Sequence, residues 1–218
     1  MNLYLSSYRI GATPALLTNM VSGRKRKAVI RNSLDFSDDI ERLNRGRERE
    51  FEDLSALGLN PEEIDLRNFF QNSNGLRKIL DDFDAAWVVG GNSFILRRAM
   101  RQSGLDDLLI DRLDDDKFTY AGYSAGSCVV ALTLRGIHLA DFPNDVPQGY
   151  SPEVIWDGLG FVPFAIAPHY KSDHPESEMI QESVNYFIEH KIPFIALHDG
   201  EAYVGEVKRQ GPAQGKVI

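Results

Sequence analysis

The sequence predicts an α/β protein with a mostly parallel sheet and helices on both faces. Strand-like and helix-like segments alternate along most of the chain, as in parallel strands joined by right-handed crossovers. Residues 85–89, Ala-Ala-Trp-Val-Val, are uninterruptedly apolar, as expected for a strand covered on both faces. Glycine-rich turns follow two of the predicted strands, at residues 90–91 and 122–126. The chain of 218 residues is long enough for one sizeable core, and we expect a single domain over residues 1–218.

The elements of the first half are justified by short apolar runs and by helix signals. Pro14 is typical of the first turn of a helix, predicted over residues 13–22. Residues 37–57 are charged with apolar positions at helical spacing, and Gly58 ends that helix. The remaining elements of this half are strands at residues 2–6, 27–32 and 63–66 and a helix over residues 74–82.

In the second half of the chain, the alternation of strands and helices continues at first and then becomes less regular. Two helices, 93–103 and 105–113, follow the strand at residues 85–89, and the strand at 118–122 leads into small residues. Residues 135–160 are rich in Pro, Gly and Asp, which predicts a long functional loop. The last elements are strands at 163–167 and 193–197, a helix over 174–190, a hairpin partner at 202–207 and a short strand at 215–218.

Composition excludes several classes of function. The net charge of −8 argues against nonspecific nucleic-acid binding. No apolar run approaches the ~18 residues of a membrane span, and residues 1–7 resemble a first strand more than a signal peptide. Cys128 is the single cysteine, so no intrachain disulfide can form, and the cytoplasm is the expected location.

The segment from Gly122 to Gly126, Gly-Tyr-Ser-Ala-Gly, has the pattern of a nucleophile elbow. A serine hydroxyl is a weak nucleophile, and a sharp strand-to-helix turn would present Ser124 free of the backbone. The two glycines permit a tight turn, and the amide of Ala125 at the helix start could stabilise an oxyanion. The alternative is that these small residues serve only packing.

A nucleophilic serine needs a base. Among the five histidines, His169 follows an apolar strand and Pro168, which places it at the sheet edge where α/β proteins bind ligands. A structural histidine that closes the strand is the alternative. His190 suits a surface position near the end of a helix, and His138 and His174 lie in polar loops.

The base needs an orienting acid, and several acids qualify. Asp199 and Glu201 follow another apolar strand, so they are expected at the same sheet edge. Asp141 and Asp145 in the long loop are further candidates.

The turn Gly90-Gly91-Asn92 also follows a strand and opens a helix. It could cradle a phosphate, but it lacks the lysine of a P-loop and the full Rossmann spacing. We interpret it as the second half of an oxyanion hole, in which the amide of Gly91 joins that of Ala125. A plain tight turn is the alternative.

Taken in order, these motifs resemble the serine peptidase family of aspartyl dipeptidase (peptidase E) and cyanophycinase. The resemblance spans nearly the whole chain and is carried by Val89-Gly90-Gly91-Asn92, Gly122-Tyr123-Ser124-Ala125-Gly126, Pro168-His169-Tyr170 and Asp199-Gly200.

The resemblance implies a flavodoxin-like three-layer sandwich, like that of class I glutamine amidotransferases. It implies that Ser124 is the nucleophile and His169 the base. The family's acid falls on Asp199 when Gly200 is used for alignment, with Glu201 as the competing assignment and Asp141 as a further one.

The chain also departs from this family. Its second strand continues Ile-Arg-Asn-Ser-Leu-Asp over residues 30–35, where relatives usually have Ile-Pro-Thr-Ala. The family's aspartate-recognising basic residue has no clear match, and Arg135 and Lys171 are the nearby candidates. If the resemblance extends to substrate, short peptides with N-terminal Asp are preferred.

The predicted function is therefore hydrolysis of short peptides by a serine-type peptidase. We expect no cofactor and no metal, a small peptide as substrate, no nucleic-acid or membrane partner, and a monomer or homodimer. A noncatalytic ligand-binding relative of the same fold is the main alternative. An esterase of the α/β-hydrolase type is a weaker one, because that fold usually places the acid before the histidine.

Overall fold

The strands of the computed structural model form one large sheet and one small one. The model describes residues 1–21, 23 and 26–218; the predicted helix over 13–22 ends at a residue outside the described part. The strands are β1 (Asn2–Ser6), β2 (Arg26–Ile30), β3 (Pro61–Glu63), β4 (Phe83–Val88), β5 (Thr119–Tyr123), β6 (Ala165–Ala167), β7 (Phe194–Ala196), β8 (Ala202–Glu206) and β9 (Gln214–Val217).

Seven strands form the large sheet in the order β3-β2-β4-β5-β1-β8-β9. The first five in this order are parallel, whereas β8 and β9 are antiparallel to their neighbours. The small sheet contains β6 and β7 as a parallel pair. The mostly parallel sheet predicted from the sequence is thus confirmed, with two antiparallel strands at one edge.

Helices cover both faces of the large sheet. They are α1 (Pro14–Met20), α2 (Ile40–Ala56), α3 (Ser73–Leu80), α4 (Ser93–Ser103), α5 (Leu105–Asp111), α6 (Ala125–Cys128) and α7 (Ser177–Glu189). None of the helices in the described part of the chain is long and apolar enough to cross a membrane.

Alternate residues of the central strands point to opposite cores. Trp87 and Tyr123 pack with residues of α1 and α2 on one face, whereas Val88 and Tyr120 pack with α3, α4 and α5 on the other. This two-sided burial explains why residues 85–89 are apolar without interruption. A third cluster, around Phe187 of α7, packs beneath β6 and β7.

Several predicted strands differ from the observed ones in their bounds, including the strand before Leu66 and the strand before His169. The strand expected at residues 63–66 lies at Pro61–Glu63, because Leu66 begins a short 3-10 turn whose start is capped by Asp65. The strand expected at 163–167 begins only at Ala165. Neither of these two shifts changes the predicted order of the elements. The strands near the candidate site therefore follow one another along the chain as the sequence predicted.

Candidate active site

Ser124 lies at the junction of β5 and α6 in a strained backbone conformation. Its φ and ψ are 49° and −117°, a region that residues with a side chain rarely adopt. The amide of Ser124 donates hydrogen bonds to the carbonyl oxygens of Ser6 (3.3 Å) and Ser7 (3.1 Å), which hold the turn against the end of β1. The residue is 8% exposed, at the floor of a cavity.

Gly122 and Gly126 are required by the close approach of the elbow to the sheet. A Cβ on Gly126 would lie 2.2 Å from the carbonyl oxygen of Val88, and one on Gly122 would lie 3.0 Å from the backbone of Gly126. Any side chain at Gly126 would therefore push α6 away from β4. The close packing attributed to these glycines from the sequence is present.

His169 lines the same cavity as Ser124, and its ring is hydrogen-bonded to Asp199. The distance from Nδ1 of His169 to Oδ1 of Asp199 is 2.7 Å. Because an ionised carboxylate only accepts, Nδ1 carries the proton and Nε2 is free to act as a base. Burial lowers the pKa of His169, the bond to Asp199 opposes this shift, and the neighbouring His174 adds to it.

The two competing acids make other contacts. Glu201 closes its own turn, since its Oε2 accepts from the amide of His198 at 2.8 Å. Asp141 lies at the start of α4, where its Oδ2 accepts from the amide of Ser93 at 2.8 Å. Of the four acids that the sequence offered for the orienting role, Asp199 is the one that is hydrogen-bonded to His169.

The amides of Gly91 and Ala125 donate no hydrogen bond to any residue that the structure describes. Gly91 has a φ of 143°, and a Cβ there would lie 2.6 Å from the carbonyl oxygen of Ser33, so the turn admits only glycine. A Cβ on the adjacent Gly90 would lie 2.9 Å from Cβ of Ser124, which shows how closely this turn approaches the serine.

The cavity has a volume of about 730 Å³, and its lining contains both basic and acidic side chains. Ser124, His169 and Gly91 line its inner end. Its lining also includes arginines from one face of α2 and acidic residues of the long loop and of the segment before α7: Arg42, Arg45, Arg49, Asp141, Asp145 and Glu176.

Arg135 and Lys171, predicted as substrate-binding residues, are not among the described residues that line this cavity. The Arg135 guanidinium lies over the Trp156 ring, 4.8 Å from its centroid, and the Lys171 ammonium lies 5.1 Å from the centroid of Tyr170. Nearness in sequence to His169 and to the long loop did not bring either cation to the serine. The arginines that line the cavity come from α2.

Comparison with known proteins decides the family. A family model described as peptidase family S51 matches residues 47–208, well over half of the chain. The chain belongs to peptidase family S51. The match confirms the predicted resemblance to peptidase E and aspartyl dipeptidase.

Individual relatives of this S51 chain agree with the assignment. Peptidase E of Streptomyces coelicolor is 34% identical over 142 residues, covering 63% of this chain and 54% of the relative. A Drosophila melanogaster protein named "Probable alpha-aspartyl dipeptidase" is 33% identical over 129 residues, covering 56% and 49%. This chain thus spans about half the length of these curated relatives.

A solved structure supports the fold of the S51 chain. A candidate peptidase E from Listeria monocytogenes EGD-e superposes with a TM-score of 0.76 at 23% identity, covering 100% of this chain and 98% of the other. The observed sheet with helices on both faces, together with this match, confirms the predicted flavodoxin-like sandwich.

Sequence reasoning missed three polar residues that support the site of this S51 chain. Ser33 lies in the segment that departs from the family pattern, and its hydroxyl contacts the carbonyl oxygens of Val89 (2.9 Å) and Gly90 (2.8 Å). Glu50 is buried on α2 and accepts from Tyr123, the neighbour of Ser124, at 2.8 Å. The third is Ser7, directly after β1. The position of Ser7 at the end of a central strand was the one sequence feature that could have indicated its place near the site.

His169, His174 and Glu176 could each offer one metal-ligand atom, all within 4.8 Å of one another. The rings of His169 and His174 are stacked, however, with centroids 3.6 Å apart and planes 7° from parallel. Imidazole lone pairs lie in the ring plane, so those of two parallel rings do not converge on one ion. A shared metal would require one ring to turn, and we assign no metal to this group.

Asp141 leads to a prediction about stability. Burial raises its pKa from 3.8 to about 7, although the hydrogen bond from Ser93 opposes this shift. Between these values the folded state retains a proton that the unfolded state has released. The contribution of Asp141 to the free energy of unfolding should therefore fall as the pH rises from about 4 to about 7. Asp141→Asn removes this titration and keeps an oxygen for the amide of Ser93, so urea unfolding should show a weaker pH dependence in the variant.

The control for this prediction is Asp145→Asn, which changes an exposed carboxylate of the same loop. It should retain the pH dependence of the parent. Equal pH dependence in Asp141→Asn and in the parent would show that the Asp141 carboxyl titrates normally in the folded protein.

Proposed function

We propose that this chain is a serine-type peptidase that hydrolyses short peptides with Ser124, His169 and Asp199 as its catalytic triad. The observation that carries the proposal is the 2.7 Å bond between Asp199 and His169, which lines the same cavity as the strained Ser124. Membership of a peptidase family favours peptides over esters as substrates. The proposal retains the triad that the sequence predicted and selects Asp199 over Glu201 and Asp141.

In this mechanism the hydroxyl of Ser124 attacks the scissile carbonyl, and Nε2 of His169 takes its proton. His169 then gives the proton to the leaving amine. In the second half of the reaction, water gives a proton to His169 and attacks the acyl-enzyme, which releases the acyl group. Asp199 holds the proton of His169 at Nδ1 and stabilises the imidazolium. The amides of Gly91 and Ala125, which lack a partner among the described residues, bind the negative oxygen of the tetrahedral intermediate.

The cavity suits a small substrate with an acidic group. Its volume of about 730 Å³ is within the range of small-molecule sites. A substrate carboxylate is costly to bury without a cation, and the arginines of α2 supply one. Arg45 pairs with Glu41 at 3.2 Å and Arg49 lies 3.9 Å from Glu50, whereas Arg42 makes no ion pair with any residue of the described part. We assign the recognition of the acidic side chain to Arg42.

The substrate preference can be tested with Asp-Leu and Ala-Leu dipeptides. We expect Asp-Leu to be the better substrate by kcat/KM, because one charge-assisted hydrogen bond contributes about 1.5–3 kcal/mol, or roughly 10- to 100-fold. Arg42→Gln should remove most of this preference while hydrolysis of Ala-Leu continues. Arg135→Gln, which removes a cation outside the cavity, is the matched control and should retain the preference.

Equal turnover of the two dipeptides by the parent would reject acidic specificity and leave a serine peptidase of another preference. If Arg135→Gln and not Arg42→Gln abolished the preference, the assignment to α2 would be wrong. A noncatalytic relative would hydrolyse neither dipeptide and would fail to react with a fluorophosphonate probe, which needs an activated serine. Cytoplasmic location and a monomeric or dimeric state stay predictions from the sequence.

A further inference from the structure

Ser7 contacts all three residues of the proposed triad. It directly follows β1 and is fully buried. Its carbonyl oxygen accepts from the amide of Ser124 at 3.1 Å. Its hydroxyl oxygen accepts from the amide of His169 at 2.7 Å and lies 2.8 Å from Oδ1 of Asp199.

The direction of these bonds follows from their chemistry. The hydroxyl has one proton, and two acceptors lie near it: Oδ1 of Asp199 at 2.8 Å and the carbonyl oxygen of Leu197 at 3.2 Å. The carboxylate is both the closer and the charged acceptor, so the proton of Ser7 points to Asp199. Oδ1 of Asp199 therefore accepts from both Ser7 and His169, which fixes the orientation of the carboxylate.

The bond to the amide of His169 fixes the other half of the pair. His169 has a φ of 57°, a conformation that disfavours a residue with a side chain and that persists only when its surroundings hold it. The amide bond to Ser7 is one such restraint. One buried hydroxyl thus orients the acid and anchors the backbone of the base.

We propose that Ser7 is a positioning residue that holds His169 and Asp199 in register with Ser124. The inference rests on the proposed peptidase function for its effect on rate, but not for its effect on the His169–Asp199 pair. Without the hydroxyl, the carboxylate is free to turn, the bond to Nδ1 weakens, and the neutral imidazole partly shifts its proton to Nε2. Because Asp199 raises the pKa of His169 against burial, a looser bond lowers that pKa further.

Other groups act on His169 and must be kept constant. His174 is stacked on its ring, the Tyr8 ring lies 5.7 Å away by centroids, and Glu176 acts on it through its charge. None of these is changed by a substitution at Ser7.

The chain offers a matched control in Ser127. This serine is also fully buried, and its hydroxyl lies 2.9 Å from the carbonyl oxygens of both Ser6 and Gly122. It makes no hydrogen bond with His169 or Asp199. Ser127→Ala removes a buried hydroxyl from the same region of the fold without altering the pair.

The experiment compares the parent with Ser7→Ala, Ser7→Cys and Ser127→Ala. Nitrogen-15 NMR of histidine-labelled protein, with the His169 signals assigned by their absence in His169→Gln, reports the tautomer and the pKa. We expect both Ser7 variants to show more proton on Nε2 and a lower pKa, and kcat to fall about 10- to 100-fold with KM within about twofold, as for other residues that orient a functional side chain. Ser127→Ala should leave the tautomer and pKa of His169 unchanged.

Ser7→Cys preserves volume and loses the strong hydrogen bond, so it serves if the smaller alanine leaves a cavity that prevents folding. Unchanged His169 signals in folded Ser7 variants would overturn the proposal, even if kcat fell, because the loss would then be merely structural. The NMR result needs no turnover. A parent without peptidase activity would reject the proposed function, whereas the signals of the Ser7 variants would still decide the role of Ser7.

Discussion

Replacing Ser124 with alanine should remove hydrolysis while leaving the fold intact. The expected loss in kcat is on the order of 10⁴-fold or more, since the oxyanion hole and substrate binding alone retain only a small residual catalysis. The hydroxyl of Ser124 makes no hydrogen bond to a residue in the described part of the chain, so its removal leaves no buried partner unpaired. Steady-state kinetics with the preferred dipeptide measures the loss.

The thermal unfolding midpoint of Ser124→Ala should match that of the parent and serves as the control for folding. Fluorophosphonate labelling should disappear together with activity. A folded Ser124→Ala protein that still hydrolysed peptides would exclude the serine mechanism altogether.

The second large effect is expected from Asp199→Asn, with a loss in kcat of about 10³- to 10⁴-fold. The amide keeps the size of the carboxylate, but its NH₂ group can donate to Nδ1 of His169 and so favours the tautomer with the proton on Nε2. That tautomer cannot accept the proton of Ser124. Kinetics over a range of pH distinguishes this loss from a shift of the pH optimum.

Glu201→Gln is the matched control, because Glu201 follows the same strand and its side chain accepts a hydrogen bond from the amide of His198 in its own turn. Its effect on kcat should be mild. If Glu201→Gln were the severe change and Asp199→Asn the mild one, Glu201 would be the orienting acid and the bond between His169 and Asp199 would not be the functional one.

The sequence predicted the parts of this molecule that depend on local pattern. Apolar runs and turn residues identified the strands that carry Ser124, His169 and Asp199. The shared edge of the parallel strands β6 and β7 accounts for the pairing of His169 with Asp199, whereas Ser124 follows β5 of the large sheet, so its meeting with them was not predictable from one sheet edge. Gly122 and Gly126 were predicted to allow close packing at the elbow, and the close approach of Gly126 to the carbonyl oxygen of Val88 agrees with that reason. The family resemblance then assigned a catalytic role to each of the three residues Ser124, His169 and Asp199.

What the sequence left open or missed depends on contacts between distant segments. Asp199 and Glu201 are separated by one residue, and only the conformation of their turn decides which carboxylate reaches His169. Arg135 and Lys171 were chosen for nearness in sequence, whereas the cavity arginines come from α2, whose charged face is indistinguishable from an ordinary solvated one. Ser7 carries no motif, and only the pairing of β1 with β5 and β8 brings it to the triad.

The position of β1 in the middle of the sheet has a consequence for when activity can arise. The contact between Ser7 and Asp199 spans 192 residues, and that between Ser7 and His169 spans 162. Contacts of such separation form only after the intervening chain has been made and collapsed, because closing long loops costs entropy that local structure does not repay. A partly synthesised chain whose elbow at Ser124 has already left the ribosome therefore lacks the proposed base and the proposed acid. The proposed triad is complete only when the segment after β7 docks against β1.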